Sequence, residues 1–289
     1  WLYKEGFPYK HVIIDEGQDF ALLPTKEESD RNVEIIDELR EAALQSGGTF
    51  YLFYDRNQAI QGERNRTYDL PSYITDSDCR LTLYQNCRNT SAISQTSLTT
   101  LQLPQKRWSG SKVIDPWSVR VEKPVFHLLD DESLIVETVN KVLDDLQAKD
   151  VMDIVLLTVG TMAYTALRDG LESLDEGADK YWYYCYKRKR YRMTTAQRFK
   201  GLEATAIIMV DLKPDSFAGK SGMVFYVGAS RAKLFLDFVA VIPEGEYKNV
   251  IQSVKETEPV NKSAKRLRNV IQDLFHARVE DTRLSSVSE

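Results

Sequence analysis

The segment HVIIDEGQDF places two adjacent carboxylates, Asp15 and Glu16, directly after the apolar run Val12–Ile14. Such a run predicts a buried strand, and ligands of parallel sheets collect at the carboxyl ends of strands. A hard cation such as Mg²⁺ takes a carboxylate oxygen and keeps waters for phosphate oxygens, while a second carboxylate can deprotonate an attacking water. Neighbours on an extended strand point in opposite directions, so the pair can share a site only where the chain turns. The alternative is a solvated strand end without a ligand.

Two further segments place polar side chains at the ends of predicted elements. In YLFYDRNQ, an apolar strand is followed by Asp55 and then by Gln58, whose neutral amide can bind a phosphate oxygen without adding charge. In LYQNCRNT, Arg88 lies between two asparagines at the start of a predicted helix. A single arginine near a helix end is most often a surface residue that complements the helix dipole, so Arg88 alone indicates no site.

Two segments nearer the C-terminus also place polar or charged side chains beside predicted elements. The polar loop TTAQRFKGLEA brings Lys200, Gly201 and Glu203 to the start of a long apolar strand. FYVGASRAK then places Arg231 in a predicted helix that follows an apolar, strand-like run. Each segment by itself fits an ordinary loop or helix end, so the order of all five along one chain carries more information than any single one.

Local patterns predict the elements that position these side chains. Short apolar runs bounded by turn residues predict strands at 11–15, 49–54, 79–84, 153–158, 204–211 and 234–241. Helical periodicity predicts helices at 31–45, 90–101, 132–148, 161–174 and 262–280. Alternating strands and helices, with strands apolar on both faces, indicate an α/β fold of parallel sheets covered by helices. The polar stretch 64–80 predicts a domain boundary.

Composition excludes several classes of protein. The 289 residues are 43% hydrophobic and 28% charged, which is typical of globular domains, and no apolar run approaches the ~18 residues that a membrane-spanning helix needs. The net charge of −5 means that a nucleic acid could be attracted only by local basic patches. Cys79, Cys87 and Cys185 lack metal-ligand spacing, so we expect reduced thiols and a cytoplasmic location, without a membrane partner.

Taken in order, IIDEGQD, FYDRNQ, LYQNCRN, FKGLEA and YVGASRAK resemble motifs II to VI of the UvrD/Rep-type superfamily 1 DNA helicases. NCRNT and QRFKGLEA are most similar to a compact branch that is often fused to nuclease-related (NERD) domains. The resemblance implies RecA-like parallel sheets with ATP between two domains. Residues 1–75 would be the C-terminal part of RecA-like domain 1A, 76–245 the complete domain 2A, and 246–289 a C-terminal helical extension.

The resemblance also implies a role for each matched residue. Asp15 would bind Mg²⁺ and Glu16 would position and activate the hydrolytic water. Gln58 would read the γ-phosphate of ATP and couple it to DNA, while Arg88 and Arg231 would supply positive charge to the phosphoryl-transfer transition state. The ribose and the loop beside it would be contacted by Glu203, Lys200 and Gly201.

Motif I of that family, the phosphate loop G-x-x-x-x-G-K-[ST], should precede residue 11 and is absent. The segment PDSFAGKS ends in Gly-Lys-Ser but begins with Pro214, which lacks a backbone N–H, so we interpret it as a flexible surface turn. We therefore expect the chain to be the rear part of domain 1A plus all of domain 2A, and to be inactive alone.

Contacts to DNA are less clearly encoded. The residues after Gln58, AIQGERNR, lack the aromatics on which family helicases stack a base, and about a hundred residues between NCRNT and FKGLEA leave no room for a large accessory domain. The run YWYYCYKRKRYR offers a DNA-contacting strip instead, or else a strand with a solvated basic turn. In the first interpretation the contacts come from Lys187, Arg188, Lys189, Arg190 and Trp182.

The sequence thus predicts the C-terminal portion of an ATP-dependent, UvrD-like DNA helicase or translocase that couples Mg-ATP hydrolysis to movement on single-stranded DNA. Single-stranded DNA is the expected partner, and a fused or associated nuclease is a second candidate. The alternative is an ATP-gated regulatory module that controls a nuclease or partner protein without unwinding. A degenerate helicase-like scaffold is the third, weaker interpretation.

The missing phosphate loop predicts that the 289-residue chain binds Mg-ATP weakly or not at all. Without backbone N–H groups arranged around the phosphates, the expected dissociation constant is above about a millimolar. Isothermal titration calorimetry with Mg-ATP measures it directly. Micromolar affinity would contradict the argument.

Overall fold

The computed structural model describes residues 8–21, 26–55, 81, 85–101, 112–113, 122–176, 179–255 and 263–281. The chain divides into two compact units, 1–83 and 84–289. The domain boundary predicted within 64–80 falls outside the described residues, as does most of the strand predicted at 79–84. Among the described residues, no helix has the length and apolar character needed to cross a bilayer.

The first unit contains a parallel pair of strands joined through a helix. Strand β1 (His11–Ile14) pairs in register with β2 (Thr49–Leu52), and helix α1 (Lys26–Gln45) makes the crossover between them. Parallel neighbours need such a crossover because a tight turn cannot join them. Ile14 of β1 and Ile36 of α1 are buried, so one face of the strand pair packs under the helix.

The second unit is built on a mostly parallel eight-stranded sheet with the strand order β12-β5-β11-β10-β6-β9-β8-β7. Neighbours from β12 to β9 are parallel, and β9, β8 and β7 form an antiparallel meander at one end. A separate short parallel pair joins β3 to β4. The strands of this unit are β3 (Gln85–Asn86), β4 (Lys112–Val113), β5 (Val125–Leu129), β6 (Ile154–Thr158), β7 (Leu171–Glu176), β8 (Asp179–Tyr186), β9 (Lys189–Thr195), β10 (Ala204–Leu212), β11 (Ala232–Val241) and β12 (Arg278–Asp281).

Helices cover both faces of this sheet, as a parallel sheet requires. Among the described residues, one face packs against a helix that contributes Val139, Leu143 and Leu146 to its core. On the other face, four helices enclose a cluster of phenylalanines in which the rings of Phe126 and Phe238 stack 4.3 Å apart. The described helices of this unit are α2 (Ser91–Leu98), α3 (Ile135–Ala148), α4 (Gly219–Ala229), α5 (Tyr247–Lys255) and α6 (Ala264–Leu274), of which α3 packs on the first face.

Three element predictions from the sequence are wrong. The helix predicted at 161–174 is a series of turns, a short 3-10 helix and then β7. The apolar run of FYVGASRAK belongs to helix α4, and Arg231 follows that helix instead of lying in it. The helix predicted at 262–280 ends at Leu274, and β12 then pairs with β5. The segment 246–289, predicted as a helical extension, thus contributes a strand to the main sheet.

The segment PDSFAGKS also differs from the flexible surface turn expected for it. It forms a 3-10 helix, Pro214–Phe217, followed by the start of α4. The Phe217 side chain is fully buried in the phenylalanine cluster. The segment is therefore anchored to the core by Phe217.

A buried histidine helps to hold the C-terminal strand at the sheet edge. The imidazole of His127 on β5 is 6% exposed, and its Nε2 lies 2.9 Å from Asp237 Oδ1 on β11. Its Nδ1 lies 3.5 Å from Glu280 Oε2 on β12. One side chain thus links three adjacent strands.

Replacing His127 with leucine should lower the free energy of urea unfolding by about 1–3 kcal/mol, because the largely buried Asp237 carboxylate loses its partner. The double variant His127→Leu/Asp237→Leu should cost less than the sum of the two single changes, since it removes both polar groups. A loss under about 0.5 kcal/mol in His127→Leu would show that the pair contributes nothing to stability.

Candidate functional site

In the first unit, the chain turns immediately after β1. Glu16 adopts a left-handed conformation with φ of +54°, and its backbone N–H donates to Asp15 Oδ1 at 2.9 Å. A non-glycine residue rarely adopts this conformation, and it persists only where surrounding contacts fix it. Here the backbone N–H of Gly17 donates to the carbonyl of Phe53 at 2.8 Å, which attaches the turn to the end of β2.

Gln18 fixes the position of Glu16. Its side chain is 4% exposed; the amide nitrogen donates to Glu16 Oε2, and the amide oxygen accepts the backbone N–H of Asp55 at 2.9 Å. The carboxylate is therefore held by a buried amide that also fixes the segment after β2. Asp15 is exposed beside it, at the carboxyl end of β1 as predicted. The sequence places Gln18 among the polar residues that follow the strand, but it does not indicate this contact to Glu16.

In the second unit, three segments that are far apart in sequence meet around one carboxylate. Glu203 accepts a hydrogen bond from Arg88 Nε at 3.0 Å and lies 2.6 Å from Lys233 Nζ. The three side chains are 39–42% exposed, so the cluster is open to solvent. The hydrogen bond from Lys233, and then that from Arg88, lowers the pKa of Glu203 from its usual 4.5. The cluster therefore persists at neutral pH, and its pairing is lost as the pH falls through the lowered pKa.

The Asn89 side chain joins two of these segments through their backbones. Asn89 is 3% exposed, and its amide donates to the carbonyls of Ser230 and Ala232, on either side of Arg231. Its own oxygen accepts a hydrogen bond from Asn86. The loop that carries Arg88 is thus bound to the turn that carries Arg231. Sequence reasoning did not single out Asn89 or Lys233, although both lie within the quoted motifs.

Arg231 lies two residues before Lys233 in the sequence, but unlike the three residues of the cluster it is buried. Its side chain is 1% exposed, and the guanidinium donates to the Val227 carbonyl at 3.1 Å and to Ser230 Oγ at 3.0 Å. Val227 belongs to the last turn of α4, where the helix dipole favours a cation. The buried guanidinium therefore caps a helix in this conformation.

Lys200 and Gly201 lie in the turn between β9 and β10, with Glu203 close behind. Gly201 is exposed and has a φ of +84°, which favours glycine over any residue with a Cβ. The cluster of Arg88, Glu203 and Lys233 thus lies at the amino ends of β10 and β11, and not at the carboxyl ends where ligands of parallel sheets usually collect.

The basic run predicted as a DNA strip forms the hairpin β8–β9, and most of its cations are paired. Lys187 and Arg188 form the turn, with φ values of +46° and +63°. Lys187 Nζ lies 2.7 Å from Asp144, which raises the pKa of Lys187 and lowers that of Asp144. Arg190 lies 3.1 Å from Glu172, and Lys189 donates to a glutamine of α3 at 3.1 Å.

Trp182 occupies the middle of β8 and is partly exposed. By the alternation of side chains along a strand it shares the face of Tyr184, which is buried under α3. Gln58, the predicted sensor of the γ-phosphate, lies outside the described residues.

Comparison with known proteins adds no family. A scan against protein-family models finds no match, and a search of the curated proteins finds no similar sequence. Within the described ranges, no group of three or more histidine, cysteine, aspartate or glutamate side chains is placed to hold a metal ion. A function can therefore be inferred only from the geometry of the described residues.

Replacing Asn89 with alanine should destabilise the second unit by about 1–3 kcal/mol, because two backbone carbonyls lose a buried donor. Urea unfolding followed by circular dichroism measures the loss. Asn249→Ala is the matched control, since that exposed amide donates only to a nearby glutamate of the same segment. Equal effects of the two substitutions would show that Asn89 does not join the motif segments.

Proposed function

We propose that the chain is part of an ATP-dependent motor of the UvrD-like superfamily 1 type, which couples Mg-ATP hydrolysis to movement on single-stranded DNA. The observation that carries the proposal is the cluster of Arg88, Glu203 and Lys233. These residues come from three of the five quoted motifs, and a chance likeness of short motifs gives no reason for them to meet. As part of the same proposal, both units are RecA-like domains.

The two units carry complementary parts of phosphoryl-transfer chemistry. That reaction needs little covalent help but requires a positioned nucleophile and compensation of the charge on the transferred group. In the first unit, Glu16 is oriented by the buried Gln18, as a residue that positions a water must be. In the second unit, Arg88 and Lys233 present cations at an exposed edge.

The donor set of the first unit suits a magnesium ion held chiefly by ATP. Mg²⁺ in nucleotide sites is bound through one or two carboxylates and completes its shell with water and phosphate oxygens. Asp15 is exposed at the strand end and offers one such carboxylate. When bound, the ion would neutralise phosphate charge, while the chain's own Asp15 and Glu16 would hold it and orient water.

The test is ATP hydrolysis by the full-length protein with and without single-stranded DNA. Stimulation by DNA is expected, and Glu16→Gln should lower kcat at least a hundredfold while nucleotide binding is kept, since a positioned general base contributes about that much. Glu34→Gln, which removes an exposed carboxylate of α1, is the control and should leave kcat unchanged. Equal kcat values for the Glu16→Gln and wild-type proteins would refute the proposed role.

One observation favours the alternative, an ATP-gated regulatory module for a nuclease or partner protein. Lys187 and Arg190 are paired with carboxylates of their own unit, which reduces the positive charge that the hairpin can offer to DNA. In that case ATP hydrolysis in the full-length protein would be insensitive to single-stranded DNA. The same assay therefore separates the two functions.

A further inference from the structure

The meander β7–β8–β9 has two different faces, and alternation of side chains assigns each residue to one of them. The hydroxyls of Tyr184 and Tyr186 donate to residues of α3 at 2.9 and 3.0 Å, so this set faces α3. Tyr181 and Tyr183 must therefore point to the opposite side of β8. Both are partly exposed.

The side chains of the neighbouring strand β9 also alternate between the two faces. Tyr191 and Met193 belong to the core under α3, which places Arg190 and Arg192 on the opposite side. Arg192 is directly paired with Tyr183 in the antiparallel register. We define the Tyr181 face by four residues: Tyr181, Tyr183, Arg190 and Arg192.

The Tyr181 face is partly exposed to solvent, since Tyr181, Tyr183 and Arg192 are each half-buried. The helices on this side of the sheet pack their apolar residues over the strands at its other end, in the core that contains Phe126 and Phe238. Leu174, which pairs with Tyr181 across β7 and β8, is 37% exposed. The side chains of Glu172 and Arg190 are 53% and 56% exposed.

Within the part of the chain that the structure describes, the face carries one positive charge without a carboxylate partner. Arg190 is paired with Glu172, but Arg192 has no carboxylate within ion-pair distance among the described residues. The Arg192 guanidinium instead lies 5.6 Å from the Tyr181 ring and 5.7 Å from the Phe199 ring. Such stacking holds a guanidinium in place while its N–H groups remain available to an anion.

We propose that the Tyr181 face binds single-stranded nucleic acid, with bases stacked on the two tyrosine rings and a phosphate bound by Arg192. The inference rests on the proposed function, because it names the surface that would hold the strand on which the motor acts. Sheet faces that present aromatic rings beside basic side chains bind unpaired bases in this way, largely without regard to sequence.

The chemistry of the face favours this occupant over others. A strand of nucleic acid brings a negative phosphate for each base, which complements the uncompensated Arg192. A duplex keeps its bases stacked on one another, so its base faces cannot reach Tyr181 or Tyr183. The proposed surface differs from the predicted strip of Lys187 to Arg190 and Trp182, with which it shares only Arg190.

The test is fluorescence anisotropy of labelled twenty-nucleotide oligo-dT and oligo-rU titrated with the 289-residue chain at low salt. Tyr181→Leu/Tyr183→Leu should weaken binding roughly tenfold or more, since a stacked base contributes on that order. Arg192→Gln should lower the slope of log affinity against log salt concentration by about one phosphate contact, whereas Arg192→Lys should keep most of the slope of the unsubstituted chain. The two oligonucleotides show whether DNA or RNA is preferred.

A second variant guards against loss of folding in the tyrosine substitutions. Leu174→Glu adds a negative charge to an exposed position of the same sheet region and should also weaken binding severalfold. Tyr164→Leu is the matched control, because that tyrosine is 89% exposed after β6, and its affinity should equal that of the unsubstituted chain.

The outcomes separate this inference from the proposed function. If the unsubstituted chain binds and both the tyrosine and Leu174 variants bind within twofold of it, the Tyr181 face is not the binding surface, while the motor proposal stands. If the unsubstituted chain binds neither oligonucleotide, the Tyr181 face is not a nucleic-acid surface, while the motor proposal is decided separately by ATP hydrolysis of the full-length protein with and without single-stranded DNA.

Discussion

The arrangement of the second unit depends on the buried amide of Asn89. A side-chain amide that donates to two carbonyls of one turn fixes the separation of two backbone segments to within a hydrogen-bond length. Since the turn also carries Arg231 and precedes Lys233, the positions of three cationic residues follow from this contact. Because Asn89 is buried, its amide needs these partners: an unpaired amide there would lose its hydrogen bonds to water without replacing them.

Electrostatics then decides what the exposed edge of this unit can do. Glu203 lies between Arg88 and Lys233, so the three residues together carry a net charge of about plus one. An arriving polyphosphate would compete with Glu203 for both cations, and the exposure of the cluster makes such an exchange inexpensive. The carboxylate thus keeps the cations apart and oriented when no anion is bound.

Much of the fold was predictable because its central strands are mostly apolar. The run at β6 is buried throughout and the runs at β10 and β11 are largely apolar, and all three were recognised with their ends displaced by at most two residues. The helix predicted at 161–174 fails for a nonlocal reason. Its apolar spacing is helical, but Leu171 pairs with Tyr184, and the Tyr184 ring lies where a Cβ on Gly170 would be.

Several residues of the two candidate clusters were named from the sequence, but their linking contacts were not. Asp15 and Glu16 are indicated by residue type at a strand end, whereas Arg88 and Glu203 were indicated only by the order of the motifs and the family resemblance. Gln18 and Asn89 act through backbone groups far away in the chain, and nothing in their neighbouring residues reveals that. Arg231 shows the reverse case, since its type predicts an exposed cation and the fold buries it against a helix end.

Each unit, described by itself, holds charged side chains in a fixed arrangement. The first orients carboxylates with a buried amide, and the second collects cations around a carboxylate. Neither arrangement is explained by stability, because exposed ion pairs contribute little and the left-handed Glu16 costs free energy. Structure retained at such a cost is typical of functional sites. The strained carboxylate turn and the exposed cation cluster are therefore the two features of this chain on which a chemical function is best based.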